Sequence, residues 1–423
     1  MQTAPAQQLV DHLFRHEAGK MIAVLTRIFG MHNLEMAEDV VQEAFLKAMQ
    51  VWKFDVPANP AAWLMQTARN KAIDIVRRQQ YHRQYSNEVA QQLLTETENT
   101  IGQFFSDNEI NDSQLRMIFA CCHPQLKLED RIALTLKTVS GFGVPEIARA
   151  LVTNDAVIQK RLYRAKQFIK EADVRFEIPA GLELMQRLDT VYTILYLLFN
   201  EGYNSLKADE LIRKDLCGEA IRLAYILSQN KSGKQPATFA LLALMCLQAS
   251  RFDSRLDEDN SIILLQNQDR SKWNHDLVQM GYYYLNQSAQ GGDMSVYHIE
   301  SAIAAEHCLA TSFENTNWRR MLQLYDMLLE LKATPVVTLN RAVILAQSGN
   351  PQQAINSIQA LDKIDTLLQS QYIYSAVLGD IYLTIQDYEQ AKKYLLLSRQ
   401  LTTSEAEKKL LNEKLKTITI AIT

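Results

Sequence analysis

Apolar residues recur through almost the whole of this chain at the roughly 3.6-residue spacing of an amphipathic helix, and the strict alternation of a half-buried strand is nearly absent. Apolar stripes of that kind are buried by packing helix on helix, so the pattern predicts an all-α protein. Ser261-Ile-Ile-Leu-Leu265 is the one segment that reads as a short hairpin strand. With 423 residues, 47% of them hydrophobic, the chain is long enough for roughly two to four domains with large cores.

Several classes of function are disfavoured at this level. No apolar run approaches the roughly 18 residues needed to span a bilayer, so no membrane association is expected. The N-terminal MQTAPAQQLVDHLF lacks the basic start and apolar run of a signal peptide. The five cysteines, Cys121, Cys122, Cys217, Cys246 and Cys308, are odd in number and irregularly spaced, which predicts a reducing, cytoplasmic setting. Cys121-Cys122-His123 is expected to be structural rather than a metal site, because adjacent helical residues point apart and no second ligand pair lies nearby. Asp257-Glu-Asp-Asn260 lacks the glycine and closing glutamate of a calcium loop. Paired carboxylates, a nucleophile with its base and a glycine-rich phosphate loop are missing from any credible context, so neither enzyme activity nor a cofactor is expected. The formal net charge of -4 argues against coating nucleic acid by charge alone, and leaves local basic patches open.

Composition divides the chain into zones. Residues 1–80 form a helical block ending in a basic helix. Residues 81–110 are polar and weakly periodic, as a linker would be. Residues 111–176 form a second helical block, closed by Glu177-Ile-Pro-Ala-Gly181, and residues 177–423 are a long run of helices. Within that run Leu378-Gly-Asp-Ile-Tyr382, followed by Tyr388, Ala391 and Leu395, resembles a tetratricopeptide repeat. Ala354 lies near one ~34-residue repeat length before Ala391, and the pattern degrades further upstream. Stacked helical pairs leave a concave surface suited to a partner, so a regulatory protein or ligand is expected on this array; an array that only stabilises the chain is the alternative.

Three constellations carry the functional argument. On the helix around Ala37-Glu-Asp-Val-Val-Gln-Glu-Ala-Phe-Leu-Lys-Ala-Met49, Asp39, Gln42 and Glu43 share one face, while Ala37, Val41, Ala44 and Ala48 share a face that can be buried. An ordinary solvated acidic face is the alternative reading. Next, Trp52-Lys-Phe-Asp-Val-Pro-Ala-Asn-Pro60 is an aromatic loop stiffened by two prolines, and it precedes the helix Trp63–Arg78. In that helix Arg69, Lys71, Arg77 and Arg78 outnumber Asp74. Aromatic and basic groups so placed suit the unstacked bases of a separated strand, although Trp63 alone reads better as core. Third, residues 143–166 have the shape of a helix-turn-helix: Pro145 suits a first helical turn, Val152-Thr-Asn154 makes the turn, and Ile158, Leu162, Ala165 and Ile169 face the core. Gln159, Lys160, Arg161 and Arg164 then point outward, with the chemistry to meet phosphates and base edges in a major groove. A solvated basic face is the competing reading.

Taken in order, Glu38-Asp-x-x-Gln-Glu-x-Phe-Leu46, Trp63-Leu-x-x-x-Ala-Arg-Asn70 and the helix-turn-helix with Arg161-Leu-x-Arg-Ala165 resemble a bacterial sigma factor of the extracytoplasmic-function (ECF) type, with regions two and four and no region three. Leu115-Arg-Met-Ile-Phe-Ala-Cys-Cys-His-Pro124, Leu197-Leu-Phe-Asn-Glu-Gly-Tyr203 and Gln268-Asp-Arg-Ser-Lys-Trp273 extend the resemblance to the subgroup with a C-terminal tetratricopeptide-like extension. The resemblance implies two polymerase contacts: Asp39, Gln42, Glu43 and Leu46 on the beta-prime clamp helices, and a second on the beta flap. It also implies that the loop at about 53–61 captures a flipped minus-ten base, with Asn70, Lys71, Arg77 and Arg78 on the DNA, and that Gln159, Lys160, Arg161 and Arg164 read the minus-thirty-five element. Two departures bear on the DNA sequence read: Gly143-Val-Pro replaces a Ser or Thr cap, and the recognition helix opens Asn154-Asp155. For Gln268–Trp273 two readings stand: Asp269 and Arg270 as a buried ion pair over Trp273, or a regulator site. The rivals to the sigma reading are a one-component helix-turn-helix regulator with a repeat sensor, and a scaffold that ignores DNA.

Overall fold

The helical period is realised along the chain. The computed structural model describes residues 3–81, 87–151, 153–204, 212–259, 261–292 and 294–422, and these are helical, with short 3₁₀ turns and one lone bridge, among the described residues. They pack as two compact units: Met1–Leu197 with Gln229–Gly233, and Leu198–Ser228 with Lys234–Thr423.

The first unit contains α1 (Thr3–Phe29), α2 (Leu34–Val51), α3 (Pro60–Tyr81), α4 (Asn87–Phe104), α5 (Asp107–Cys121), α6 (Leu128–Thr138), α7 (Val144–Ala150), α8 (Asp155–Glu171) and the larger part of α9 (Gly181–Tyr203). Helix α1 is its axle, packing on α2, α3, α5 and α6 and burying Met21, Ala23, Val24 and Leu25 completely. The approach to the end of α6 is set by one glycine: a Cβ on Gly19 would lie 1.9 Å from the Val139 carbonyl oxygen, so no larger residue fits there without backbone movement.

Two boundaries differ from the sequence reading. The stretch taken as a linker holds α4, where among the described side chains Ile101 is buried, Arg27 stacks 4.3 Å over the Phe104 ring, and Gly102 lies against Arg69. In the sequence, the apolar spacing of Val89, Leu93, Ile101 and Phe104 is hidden by the polar residues between them. The break expected at residue 177 falls inside the first unit, because early α9 is tied to α5 and α6. Buried Arg187 donates to the Phe119 carbonyl at 3.3 Å, and Arg131 donates to Thr190 Oγ1 at 3.2 Å.

The second unit continues α9 with α10 (Lys214–Gln229), α11 (Pro236–Ala249), α12 (His275–Ser288), α13 (Val296–Leu309), α14 (Trp318–Leu331), α15 (Pro335–Gln347), α16 (Pro351–Gln359), α17 (Ile364–Ser370), α18 (Tyr372–Thr384), α19 (Tyr388–Leu401) and α20 (Glu405–Ile422). Helix α11 is apolar all round and buried all round, with α12 and α13 against it. Beyond it, successive helices pair as neighbours: α15 with α16, α18 with α19, and α19 with α20. Gly379 permits the tight α18–α19 contact, since a Cβ there would meet the Leu395 side chain at 2.7 Å. Of the residues in the repeat pattern, Leu378, Ala354, Ala391 and Leu395 are fully buried, and Tyr382 and Tyr388 are half-buried.

Ser261–Leu265 does not extend into a strand. Leu256 and Ile262 make an isolated antiparallel bridge, closed by Asp257, whose carboxylate accepts from the amides of Asp259 and Ser261. The Gln268 side chain takes the Ile263 carbonyl at 3.2 Å and Leu265–Asn267 turns into a 3₁₀ helix, so the ladder stops.

Candidate polymerase and promoter interfaces

Helix α2 separates its faces cleanly. Ala37, Val40, Val41, Ala44, Phe45 and Ala48 are buried, whereas Asp39, Gln42, Glu43 and Leu46 are exposed, Leu46 to 58%. A leucine so placed amid polar side chains adds nothing to the core and offers an apolar centre to a partner. Glu43 pairs with Lys71 of α3 at 2.5 Å, so a residue assigned to polymerase and one assigned to DNA hold each other here.

Asn59 opens α3, its side chain accepting from the Ala62 amide at 3.0 Å, and Pro60 follows at the position where a missing N–H is harmless. Trp63 is half-buried, edge-on to buried Trp52 with ring centroids 5.5 Å apart, so it lies at the border of the core rather than inside it. The preceding loop instead exposes Phe54 to 92%. Asn70 is exposed and accepts from Gln66 at 2.7 Å. Arg77 is tied to Glu98 of α4 at 2.5 Å, and Arg78 is exposed.

The helix-turn-helix is α7 and α8, with Val152 of its turn outside the described residues. The Glu146 carboxylate accepts from the Gly143 amide at 2.7 Å, the return half of a capping box, so the first helix has side-chain help without a Ser or Thr at its start. Asn154 caps α8 by accepting from Val157 N at 3.0 Å. Ile158, Leu162, Ala165 and Ile169 are buried, and Gln159, Lys160 and Arg164 are exposed, with Arg161 partly so. Arg164 pairs with buried Asp130 at 2.7 Å.

Sequence reasoning missed what happens next to these residues. Lys166, one turn beyond Leu162 on α8, pairs at 2.5 Å with Glu38 of α2, whose side chain is 10% exposed. Arg15 of α1 pairs with Glu146 of α7 and stacks over Phe142 at 4.3 Å. The first and second helical blocks are thus joined by partly buried ion pairs as well as by the Gly19 contact. The available signal was a glutamate and a lysine on the inner borders of otherwise amphipathic helices. Tyr163, 64% exposed on α8, was also passed over.

The cysteines are unbonded, and burial pushes the Cys121 thiol up to about 12; among the described residues no three His, Cys, Asp or Glu side chains are gathered to hold a metal ion. No helix among the described residues is long and apolar enough to cross a membrane. In the Gln268–Trp273 motif the ion-pair reading is corrected. Asp269 caps a short 3₁₀ turn by accepting from Ser271, while Arg270 lies 4.6 Å over the Trp273 ring and donates to the His307 and Ala310 carbonyls. Those carbonyls end α13, and the negative end of its dipole holds the guanidinium.

An exposed acidic and amide face, an aromatic loop before a basic helix and a capped helix-turn-helix together define a DNA-binding transcription initiation factor of the sigma class. Residues 13–81 match sigma-70 region 2, residues 116–169 match sigma-70 region 4, and residues 187–289 match a family of unknown function (DUF6596). Over 361 residues the chain is 34% identical to an uncharacterized protein of Rhizobium meliloti, covering 85% of this chain and 84% of that one. It is 26% identical over 158 residues to the ECF RNA polymerase sigma factor SigW of Bacillus subtilis, covering 36% of this chain and 82% of the relative. With the ECF RNA polymerase sigma factor SigE of Mycolicibacterium smegmatis the identity is 24% over 163 residues, covering 38% of this chain and 60% of the relative. No solved structure matches. The chain belongs to the ECF RNA polymerase sigma factors and carries, after region 4, an extension that includes the DUF6596 segment.

Proposed function

We propose that the chain docks on core RNA polymerase through Asp39, Gln42, Glu43 and Leu46 of α2, against the beta-prime clamp helices, with a second contact from region 4 on the beta flap. The loop carrying Phe54 takes a base of the minus-ten element out of the stack, with Asn70, Lys71, Arg77 and Arg78 on the neighbouring strand. Gln159, Lys160, Arg161 and Arg164 read the minus-thirty-five element. The protein initiates transcription without catalysing a reaction of its own, and works in the cytoplasm beside polymerase and chromosome.

The observation that carries this reading is α2: a fully buried face opposite an exposed acidic and amide face centred on an exposed leucine. Asp39→Ala with Gln42→Ala is expected to leave the helical signal and melting unchanged, since exposed polar residues add little stability. Retention of core polymerase should fall by about 2 kcal/mol or more per residue if both are hot spots. Full retention by a folded double variant overturns the docking assignment. Run-off transcription with purified core polymerase separates this reading from a regulator that binds DNA without replacing the sigma subunit.

The C-terminal unit is assigned a supporting and regulatory role, with the repeat pattern around α18 and α19 as its motivation. Truncation after Asn204 keeps α9 and its ties to α5 and α6. It is expected to reduce promoter-specific transcription while core binding is retained. Stronger transcription by the truncated chain would make the unit an inhibitor instead.

A further inference from the structure

A cavity of about 300 Å³ opens within the C-terminal unit among α14, α15 and α18, a volume at the lower end for small-molecule sites. Its apolar wall includes Phe313, Trp318, Tyr325, Val343 and Ile381. Phe313 meets Trp318 edge-on, with centroids 4.9 Å apart at 64°, and both rings are only half-buried. A planar ring entering the cavity would continue that edge-to-face arrangement, which aromatic quadrupoles favour.

The charges around the cavity are already closed. Its one carboxylate, Asp380, accepts from Lys414 through both oxygens at 2.6 Å. Its one imidazole, His307, is driven down to about 3 by burial and by the neighbouring Arg251 and Arg270, so it is neutral across the working pH range. An ion entering would find no unpaired counter-charge among the lining residues. Hydrogen-bonding capacity, by contrast, remains open. Asn340 and Gln347 lie two turns apart on α15, on either side of Val343, and neither amide has a hydrogen-bond partner among the described residues. At about 1.5 Å per residue the two are roughly 10 Å apart along the helix, close to the length of a two-ring molecule.

We infer that this cavity is a binding site for a small, uncharged aromatic molecule with an amide, hydroxyl or carbonyl group, its ring against Phe313 and Trp318 and its polar group met by Asn340 or Gln347. The inference deepens the regulatory reading of the C-terminal unit, but occupancy is tested without polymerase or DNA, so failure of one reading is distinguishable from failure of the other.

The test is calorimetric titration of the full chain with 2-naphthamide, 2-naphthoate and 2-naphthamidine, which share a ring and differ in charge, with Trp318 emission followed in parallel. The neutral amide is expected to bind roughly tenfold or more tightly than either ion, and to shift an emission component that Trp318→Phe removes. Val343→Trp should fill the cavity and abolish binding. Gln347→Ala with Asn340→Ala, both at exposed positions and so expected to fold, should weaken binding several-fold. Three results overturn the proposal: an ion binding as tightly as the amide, no saturable binding of the amide, or binding unchanged in folded Val343→Trp and in the double amide variant.

Discussion

Helices α2 and α8 are built alike and left in different states. Each buries a stripe of small and branched residues and turns a polar face outward. On α2 the outward face is nearly bare: Asp39, Gln42 and Leu46 are exposed, and only Glu43 has an ion-pair partner among the described residues. On α8 the basic set is divided. Lys160 and Arg161 have no carboxylate partner among the described residues, while Arg164 is held by Asp130 and Lys166 by Glu38, both buried acids. The difference teaches that the free chain presents its proposed polymerase face ready-made and satisfies part of its proposed promoter face internally. On this hypothesis DNA reading follows polymerase docking, because extending region 4 along the promoter must break the charge pair between α2 and α8.

The largest expected effect comes from cutting that pair on one side. Lys166→Met leaves the Glu38 carboxylate buried, with Oε1 already lacking a hydrogen-bond partner among the described residues, and removal of one partner of a buried ion pair typically destabilises by about 3–5 kcal/mol. Urea unfolding followed through Trp52 and Trp63, which lie in the first unit, should report the loss. Glu38→Leu added to Lys166→Met should restore most of it, since a well-packed apolar pair removes the stranded charge. Equal instability in the single and double variants would mean that the pair does not link the two blocks.

A smaller effect is expected where the blocks meet through backbone. Gly19→Ala forces a methyl to within 1.9 Å of the Val139 oxygen unless α1 and the end of α6 move apart, and overpacking of this kind destabilises by about 1–3 kcal/mol. If the comparison is right, hydrogen exchange should quicken at the α1–α6 contact while the α1–α2 contact stays protected. Uniform loss of protection would mean that region 2 and region 4 open as one cooperative body.

A third acid gives the comparison a control. Glu201, in the second unit, has no hydrogen-bond partner on Oε1 among the described residues, and burial outweighs nearby Arg213 to raise its pKa to about 7. The folded state then holds a proton that the unfolded state releases near pH 4.5, so stability declines as pH rises through the window from about 4.5 to 7. Glu201→Gln should flatten that decline and stabilise the second unit at pH 8 relative to pH 5. A wild-type pH profile retained by the variant would show that another group sets the slope.

How much of this was legible in sequence follows from the range of the contacts. The faces of α2 and α8, the loop before α3 and the turn before α8 are local, and spacing alone exposes them. Glu38 and Lys166 are 128 positions apart, and only the fold brings them together. Helix α4 reads as linker because polar residues hide the apolar spacing of Val89, Leu93, Ile101 and Phe104, and α9 reads wholly as extension because one helix serves two units. The Ser261 strand failed for a reason no periodicity carries: the Gln268 side chain captures the Ile263 carbonyl that the ladder needed.

The smallest effect lies on α8 itself and tests its division directly. Removing a single ion pair to a DNA phosphate should lower the slope of log affinity against log salt by about 0.9. Lys160 and Arg161 offer their full charge, so Lys160→Ala and Arg161→Ala should each reduce the slope for promoter binding by the holoenzyme by about that much if each meets a phosphate. Arg164 is shared with Asp130, whose side chain is 5% exposed and cannot turn to water, so Arg164→Ala should reduce the slope by less. Asp130→Asn should release the guanidinium and raise the slope toward the value of an unshared arginine. Binding titrations of a promoter fragment across potassium chloride concentrations resolve differences of this size. Equal slope changes for Lys160→Ala, Arg161→Ala and Arg164→Ala would show that the Asp130 pair is given up without penalty, and that the contrast between α2 and α8 has no bearing on DNA.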